Sequence, residues 1–125
     1  MQTQLKSASP DQLRQRTKIF ALRVIQLVEA LPKTTTTAVL GKQLLRSATS
    51  VGANYRAGCR ARSKAEFIAK MGIVLEEADE CGYWLELLSE SGAIPATRLV
   101  DLQRETEELT AIMVSSIKTA KASRT

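Results

Sequence analysis

Residues 40–88 read LGKQLLRSATSVGANYRAGCRARSKAEFIAKMGIVLEEADECGYWLELL, two amphipathic segments parted by a three-residue break. In the first, Leu40, Leu44, Val51 and Tyr55 share one side of a 3.6-residue period. Lys42, Arg46, Arg56 and Arg60 fall within roughly 40° of a common line on the other side. After Ala61-Arg62, the run Ser63-Lys64-Ala65-Glu66 has the Ser-x-x-Glu form of a capping box, which predicts a new helix start. Phe67, Met71, Val74, Ala78, Cys81 and Leu85 then make a second apolar stripe. Two long helices joined by so short a turn are antiparallel neighbours.

The flanks repeat the pattern. Ser9-Pro10-Asp11-Gln12 combines an N-cap serine, a proline at the first helical position and a box amide. Leu13, Phe20, Val24, Leu27, Val28 and Leu31 follow at helical spacing up to Pro32, which ends the element. The four threonines 34–37 supply cap hydroxyls for the second helix, expected to run to about residue 61. Gly52 and Gly58 within it mark close approach of neighbouring helices, and Gly41 is a further weak point. Ser91-Gly92 closes the third helix with a left-handed glycine, and Pro95 opens the fourth. Leu99, Leu102, Leu109, Met113 and Ile117 stripe that last helix, and Lys118, Lys121 and Arg124 suit its C-terminal dipole. The expectation is an all-α, antiparallel up-down-up-down four-helix bundle over residues 9–122. A flexible segment 1–8 precedes it and a tail 123–125 follows.

Composition narrows the chemistry. The 125 residues contain no histidine, which removes the commonest general base and metal ligand together. Glu66, Glu77 and Glu80 imitate a di-metal carboxylate site, but the Glu-x-x-His motif of such bundles is missing. No enzyme activity and no cofactor or metal is expected. Neither a signal peptide nor an 18-residue apolar run is present, so the expectation is a cytoplasmic protein without membrane contact. Cys59 and Cys81 fall at different levels of adjacent helices and are expected to stay reduced.

Charge is unevenly spread. Residues 35–65 hold six cations and no acid, while residues 66–92 hold seven acids and one lysine. The basic stripe, with Arg14, Arg16, Lys18 and Arg23 of the first helix, is the footprint expected of a nucleic-acid backbone, RNA or DNA. The competing expectation is internal pairing. The short turn near residue 62 sets Arg46 level with Glu77 and Glu80, and Arg56 level with Glu66, whereas Lys42, Arg60 and the cations of the first helix meet no acid by this count.

Glu66, Lys70, Ile73, Glu77, Glu80 and Trp84 form a second stripe on the third helix, read as a subunit interface anchored by Trp84. The alternative places Trp84 at the edge of the core. Ser47, Ser50 and Asn54, between the core line and the basic stripe, are expected to bond to a neighbouring helix backbone or to let two helices close up.

Leu45-Arg46-Ser47 with Ser50 and Asn54, Ser63 with Glu66-Phe67, and Tyr83-Trp84-Leu85 carry a family resemblance. The stretch 40–88 resembles the bacterial four-helix-bundle proteins encoded within intervening sequences of 23S ribosomal RNA genes. It is also similar to the accessory proteins of diversity-generating retroelements. The resemblance implies a homopentamer with basic surface and, for the retroelement branch, binding of RNA and a reverse transcriptase. It implies no catalytic residues. A protein-binding or purely structural module, docking an unknown protein, is the alternative function.

Overall fold

The computed structural model describes residues 8–123. The expected segment 1–8 and tail 123–125, apart from Ala8 and Ser123, lie outside the described residues, as does Arg124. Four helices follow in order: α1 (Pro10–Glu29), α2 (Thr35–Cys59), α3 (Lys64–Glu90) and α4 (Val100–Ala122). A short 3-10 turn, Ala96–Arg98, precedes α4, and no strand occurs among the described residues.

The helix starts are written in local hydrogen bonds. The Gln12 backbone N–H donates to Ser9 Oγ while Ser9 N–H donates to Gln12 Oε1 at 2.8 Å, a complete capping box. Thr34 and Thr37 make the same reciprocal pair at the start of α2. At α3 the box slips. Ser63 Oγ accepts from Glu66 N–H, but the Glu66 carboxylate reaches one residue further back, to the N–H of Arg62 at 2.8 Å. That donor is otherwise unsatisfied, and a charged acceptor is stronger on it than an amide would be.

The helix ends correct one expectation. α2 stops at Cys59, with Arg60 as its cap, close to the expected end near residue 61. Gly92 ends the α3 corner with φ +78, as expected, but Pro95 does not open α4. Its extended ψ of 135 delivers the chain into the 3-10 turn, which lets Ile94 and Leu99 both bury over the end of the bundle.

Antiparallel packing follows from which residues lie level. Gly52 of α2 sits against Thr17 of α1, and Gly41 sits against Val28 and Leu31, so rising numbers on one helix meet falling numbers on the other. α3 packs between α2 and α4, while α1 leans on α2, touches α4 sparsely and lies diagonal to α3. The core runs the length of the bundle through Phe20, Val24, Leu44, Val51, Met71, Val74, Leu85, Leu109 and Met113. Each stripe residue expected to be central is buried, except Phe67 and Ile117 at the bundle end and Val28 and Leu40, which are half-buried.

Gly52 and Gly58 hold the helices close. A Cβ on Gly52 would stand 3.3 Å from Thr17 Oγ1, and one on Gly58 would collide with the end of Met71 and stand 3.2 Å from Lys70 Cβ. Gly58→Leu is therefore expected to cost about 1–3 kcal/mol by overpacking, read as a lower Tm with helicity retained below it. Gly72→Leu, in a helix interior with nothing within 4 Å, should hold or raise Tm, since leucine is the better helix former, and serves as the control.

Candidate functional site

The basic surface is built on α2, because its capping and core stripe fix the azimuth at which its cations stand. Lys42, Arg46, Arg56 and Arg60 are all exposed, on the side away from the core. Lys42 and Arg60 are 18 residues apart, about 27 Å along the helix at 1.5 Å per residue.

Arg46 is engaged within the chain. Its guanidinium donates to Glu80 Oε1 at 2.8 Å and lies 3.5 Å from Glu77 Oε1, and it also donates to Ser47 Oγ. The Ser47 hydroxyl in turn donates to Glu80 at 3.2 Å. Ser47 thus ties α2 to α3 through a side chain, not through a neighbouring backbone as expected, since the carboxylate offers the stronger acceptor. Asn54 turns back on its own helix, donating to the Ser50 carbonyl and hydroxyl.

Lys42, Arg56 and Arg60 take part in no ion pair among the described residues. Glu66, expected level with Arg56, is held instead at the start of α3 by Arg62 N–H.

On α1 the expectation of free cations needs correction. Arg16 makes a two-pronged contact with Glu105, 2.8 Å from Nε and 2.9 Å from Nη2, and also bonds Glu108. These carboxylates hold its pKa above the ordinary value, the Glu105 hydrogen bond contributing most. Arg14 pairs with Asp11 one turn back. Lys18 and Arg23 enter no ion pair among the described residues, Lys18 being exposed and Arg23 half-buried.

Two hollows between α1 and α2 gather some of the remaining cations, though neither Arg23 nor Arg60. One of about 190 Å³ is flanked by Lys18 and Arg56 over a floor of Thr17, Gly52 and Ala53. The other, about 580 Å³ at the α1–α2 turn, brings Lys33 beside Lys42. Lys33 escaped the sequence reading, although Pro32 and the following short connection could have placed it level with the start of α2.

The second stripe of α3 is mostly occupied within the chain itself. Glu77 and Glu80 meet Arg46, Ile73 and Lys70 are half-buried, and Trp84 packs against the core edge. The indole Nε1 is buried and has no hydrogen-bond partner among the described residues. Tyr83, its ring tilted 58° to that of Trp84 with centroids 5.2 Å apart, is the exposed aromatic of the pair.

No three His, Cys, Asp or Glu side chains among the described residues are placed to hold a metal ion. Cys59 and Cys81 are free thiols, and burial pushes the Cys81 thiol up to about 12, with Glu77 and Glu80 adding to it. Burial and the adjoining Cys59 likewise raise the Tyr55 hydroxyl. No helix among the described residues is long and apolar enough to cross a membrane.

These features define a four-helix bundle with a basic outer face on its second helix. Residues 11–115 match the family model of the 23S rRNA-intervening sequence protein, and the chain belongs to that family. It is similar to a crystal structure from Bacteroides thetaiotaomicron VPI-5482, described as a protein of unknown function from the S23 ribosomal protein family. The two share 36% sequence identity with a TM-score of 0.81, over 87% of this chain and 97% of that one. No protein of curated function matches.

Proposed function

We propose that this chain is a non-enzymatic, cytoplasmic, homo-oligomeric bundle that holds the phosphate backbone of RNA or DNA on α2. The carrying observation is the set Lys42, Arg56 and Arg60, exposed, outside every ion pair among the described residues and carried on a segment with no acid of its own, the acids Glu77 and Glu80 of α3 being engaged by Arg46. Lys18 and Lys33 extend it toward α1. With no aromatic among these cations, the chemistry favours phosphate contact over base stacking, so binding is weakly sequence-selective. A pentamer, and kinship with retroelement accessory proteins, are what the family resemblance adds to this reading. Repetition of the row around such an assembly multiplies weak contacts into useful avidity.

Arg46 supports a second reading, in which charges organise protein contacts alone, because its pairing with Glu77 and Glu80 shows that α2 cations can serve the fold.

Titration of labelled RNA and DNA duplexes across salt concentration separates the two. Affinity should fall steeply with salt, and Lys42→Gln with Arg60→Gln should lower the log–log slope by about 2 per subunit engaged, at about 0.9 per phosphate contact. Oligomer mass and Tm should hold, since exposed cations contribute about 0–1 kcal/mol each. Wild-type protein that shifts neither nucleic acid at about 50 mM salt would sink the nucleic-acid reading and leave the assembly module.

A further inference from the structure

Lys18 of α1 and Arg56 of α2 both line the hollow of about 190 Å³ between their helices. Both are exposed, and neither joins an ion pair among the described residues. Gly52 sits against Thr17 and so sets the level of the two antiparallel helices. By that level Lys18 and Arg56 are displaced by about 7.5 Å along the bundle, at 1.5 Å per residue. The displacement is close to the step between neighbouring phosphates of an extended nucleic-acid strand. Small side chains keep the space between the two cations open, with Ala21, Thr49 and Ala53 joining Thr17 and Gly52 in the lining.

The floor of the hollow has no hydrogen-bond donor for a phosphate. Thr17 Oγ1 donates to the Leu13 carbonyl at 2.8 Å and Thr49 Oγ1 to the Leu45 carbonyl at 2.9 Å, so each hydroxyl has already placed its one proton. The N–H groups of Ala21, Gly52 and Ala53 lie in helix interiors and serve the helical ladder. What remains is carbon surface and hydroxyl lone pairs. An anion seated there would lose its water and gain no partner. Phosphates therefore belong at the rim, on Lys18 and Arg56, and the floor suits an uncharged group between them. At about 190 Å³ the hollow is smaller than the pockets of about 300–1,000 Å³ that take whole small molecules, so it admits one unit of a polymer. The larger groove between α3 and α4, about 620 Å³ beside Gly82, is lined by Asp79, Glu86 and Glu107 and repels a polyanion.

We infer that this hollow seats one unpaired nucleotide, with its base and sugar over the small-residue floor and its two flanking phosphates on Lys18 and Arg56. The inference rests on the phosphate-backbone reading above and adds strandedness to it. An unpaired base has a free face that can lie on aliphatic carbon or against the plane of the Arg56 guanidinium. In a continuous duplex each base is stacked and paired and must be extruded before it can enter, a cost that an already unpaired nucleotide largely avoids. The threonine lone pairs are too few to read the edge of a base. The hollow thus selects unpaired over paired nucleic acid and leaves sequence unread.

Fluorescence anisotropy with two labelled RNA duplexes tests it, one perfectly paired and one identical but for a single extrahelical nucleotide at its centre. The two carry nearly the same phosphates, so the ratio of their affinities isolates the unpaired nucleotide. Wild type should bind the bulged duplex about tenfold more tightly, near the lower end of what one seated base contributes. Ala53→Leu fills the hollow from an exposed position and keeps both cations, and it should bring that ratio down to about one. Equal affinity of wild type for the two duplexes would overturn the nucleotide seat and leave the phosphate reading standing. A tenfold ratio that survives in Ala53→Leu would overturn it in the same way, because the preference would then arise elsewhere. Wild type that binds neither duplex at about 50 mM salt would overturn both readings. Should Ala53→Leu lower Tm, Thr49→Leu, also exposed and in the lining, enters the same comparison.

Discussion

Trp84→Ala lowers stability by about 3 kcal/mol and Tm by roughly 10 °C, measured by thermal circular dichroism. A tryptophan truncated to alanine in a core commonly costs about 3–5 kcal/mol, and Trp84 belongs at the lower end because it is half-buried at the core edge. Its Nε1 adds a correction in the same direction. A buried N–H without a partner costs about 1–3 kcal/mol, and the alanine relieves that cost. Trp84→Phe should therefore lose less than the lost volume suggests. Tyr83→Ala, next along the chain but exposed, should leave Tm nearly unchanged. An unchanged Tm with a fallen mass for Trp84→Ala would return the tryptophan to the subunit boundary that its stripe of charged neighbours first suggests.

Alkaline solution should destabilise the bundle well before ordinary lysine titration. The Cys81 thiol ionises near 9.0 in an unfolded chain but only at about 12 in the folded one. Below pH 9 both states are neutral and the contribution to stability is complete. Between these values the unfolded chain has released its proton while the folded one retains it, so stability falls as pH rises, by up to about 1.4 kcal/mol per pH unit. Tyr55, also raised by burial, adds to the loss above its ordinary value of 10.0. Denaturant midpoints measured from pH 8 to 11 should decline for wild type, and Cys81→Ala should flatten the first part of that decline. A Cys81→Ala slope equal to wild type would show that the thiol is not the titrating group. The same burial predicts that a thiol reagent labels Cys81 only on unfolding, since the thiolate is the reactive form.

Bundle architecture was legible because its determinants are local. Capping at Ser9, Thr34 and Ser63 involves hydrogen bonds within four residues, and a 3.6-residue period needs no knowledge of a partner. Even the meeting of Arg46 with Glu77 and Glu80 could be counted, since the turn between Cys59 and Lys64 fixes how two adjacent helices line up. Arg16 shows where counting stops. Its partners Glu105 and Glu108 lie about ninety residues away on α4, and no turn joins α1 to α4, so their level depends on how all four helices close together. Trp84 and Tyr83 divide in the same way. Periodicity sets the angle between neighbouring residues on α3, but α2 and α4 decide which of the two rings is covered. The glycines are alike as letters, and only packing makes Gly58 a close contact and Gly82 part of an open groove. Sequence alone therefore determined the helices, their order and the sign of charge along each. Tertiary structure decided which charges are already paired and which faces remain uncovered, because those depend on side chains brought together by non-local packing.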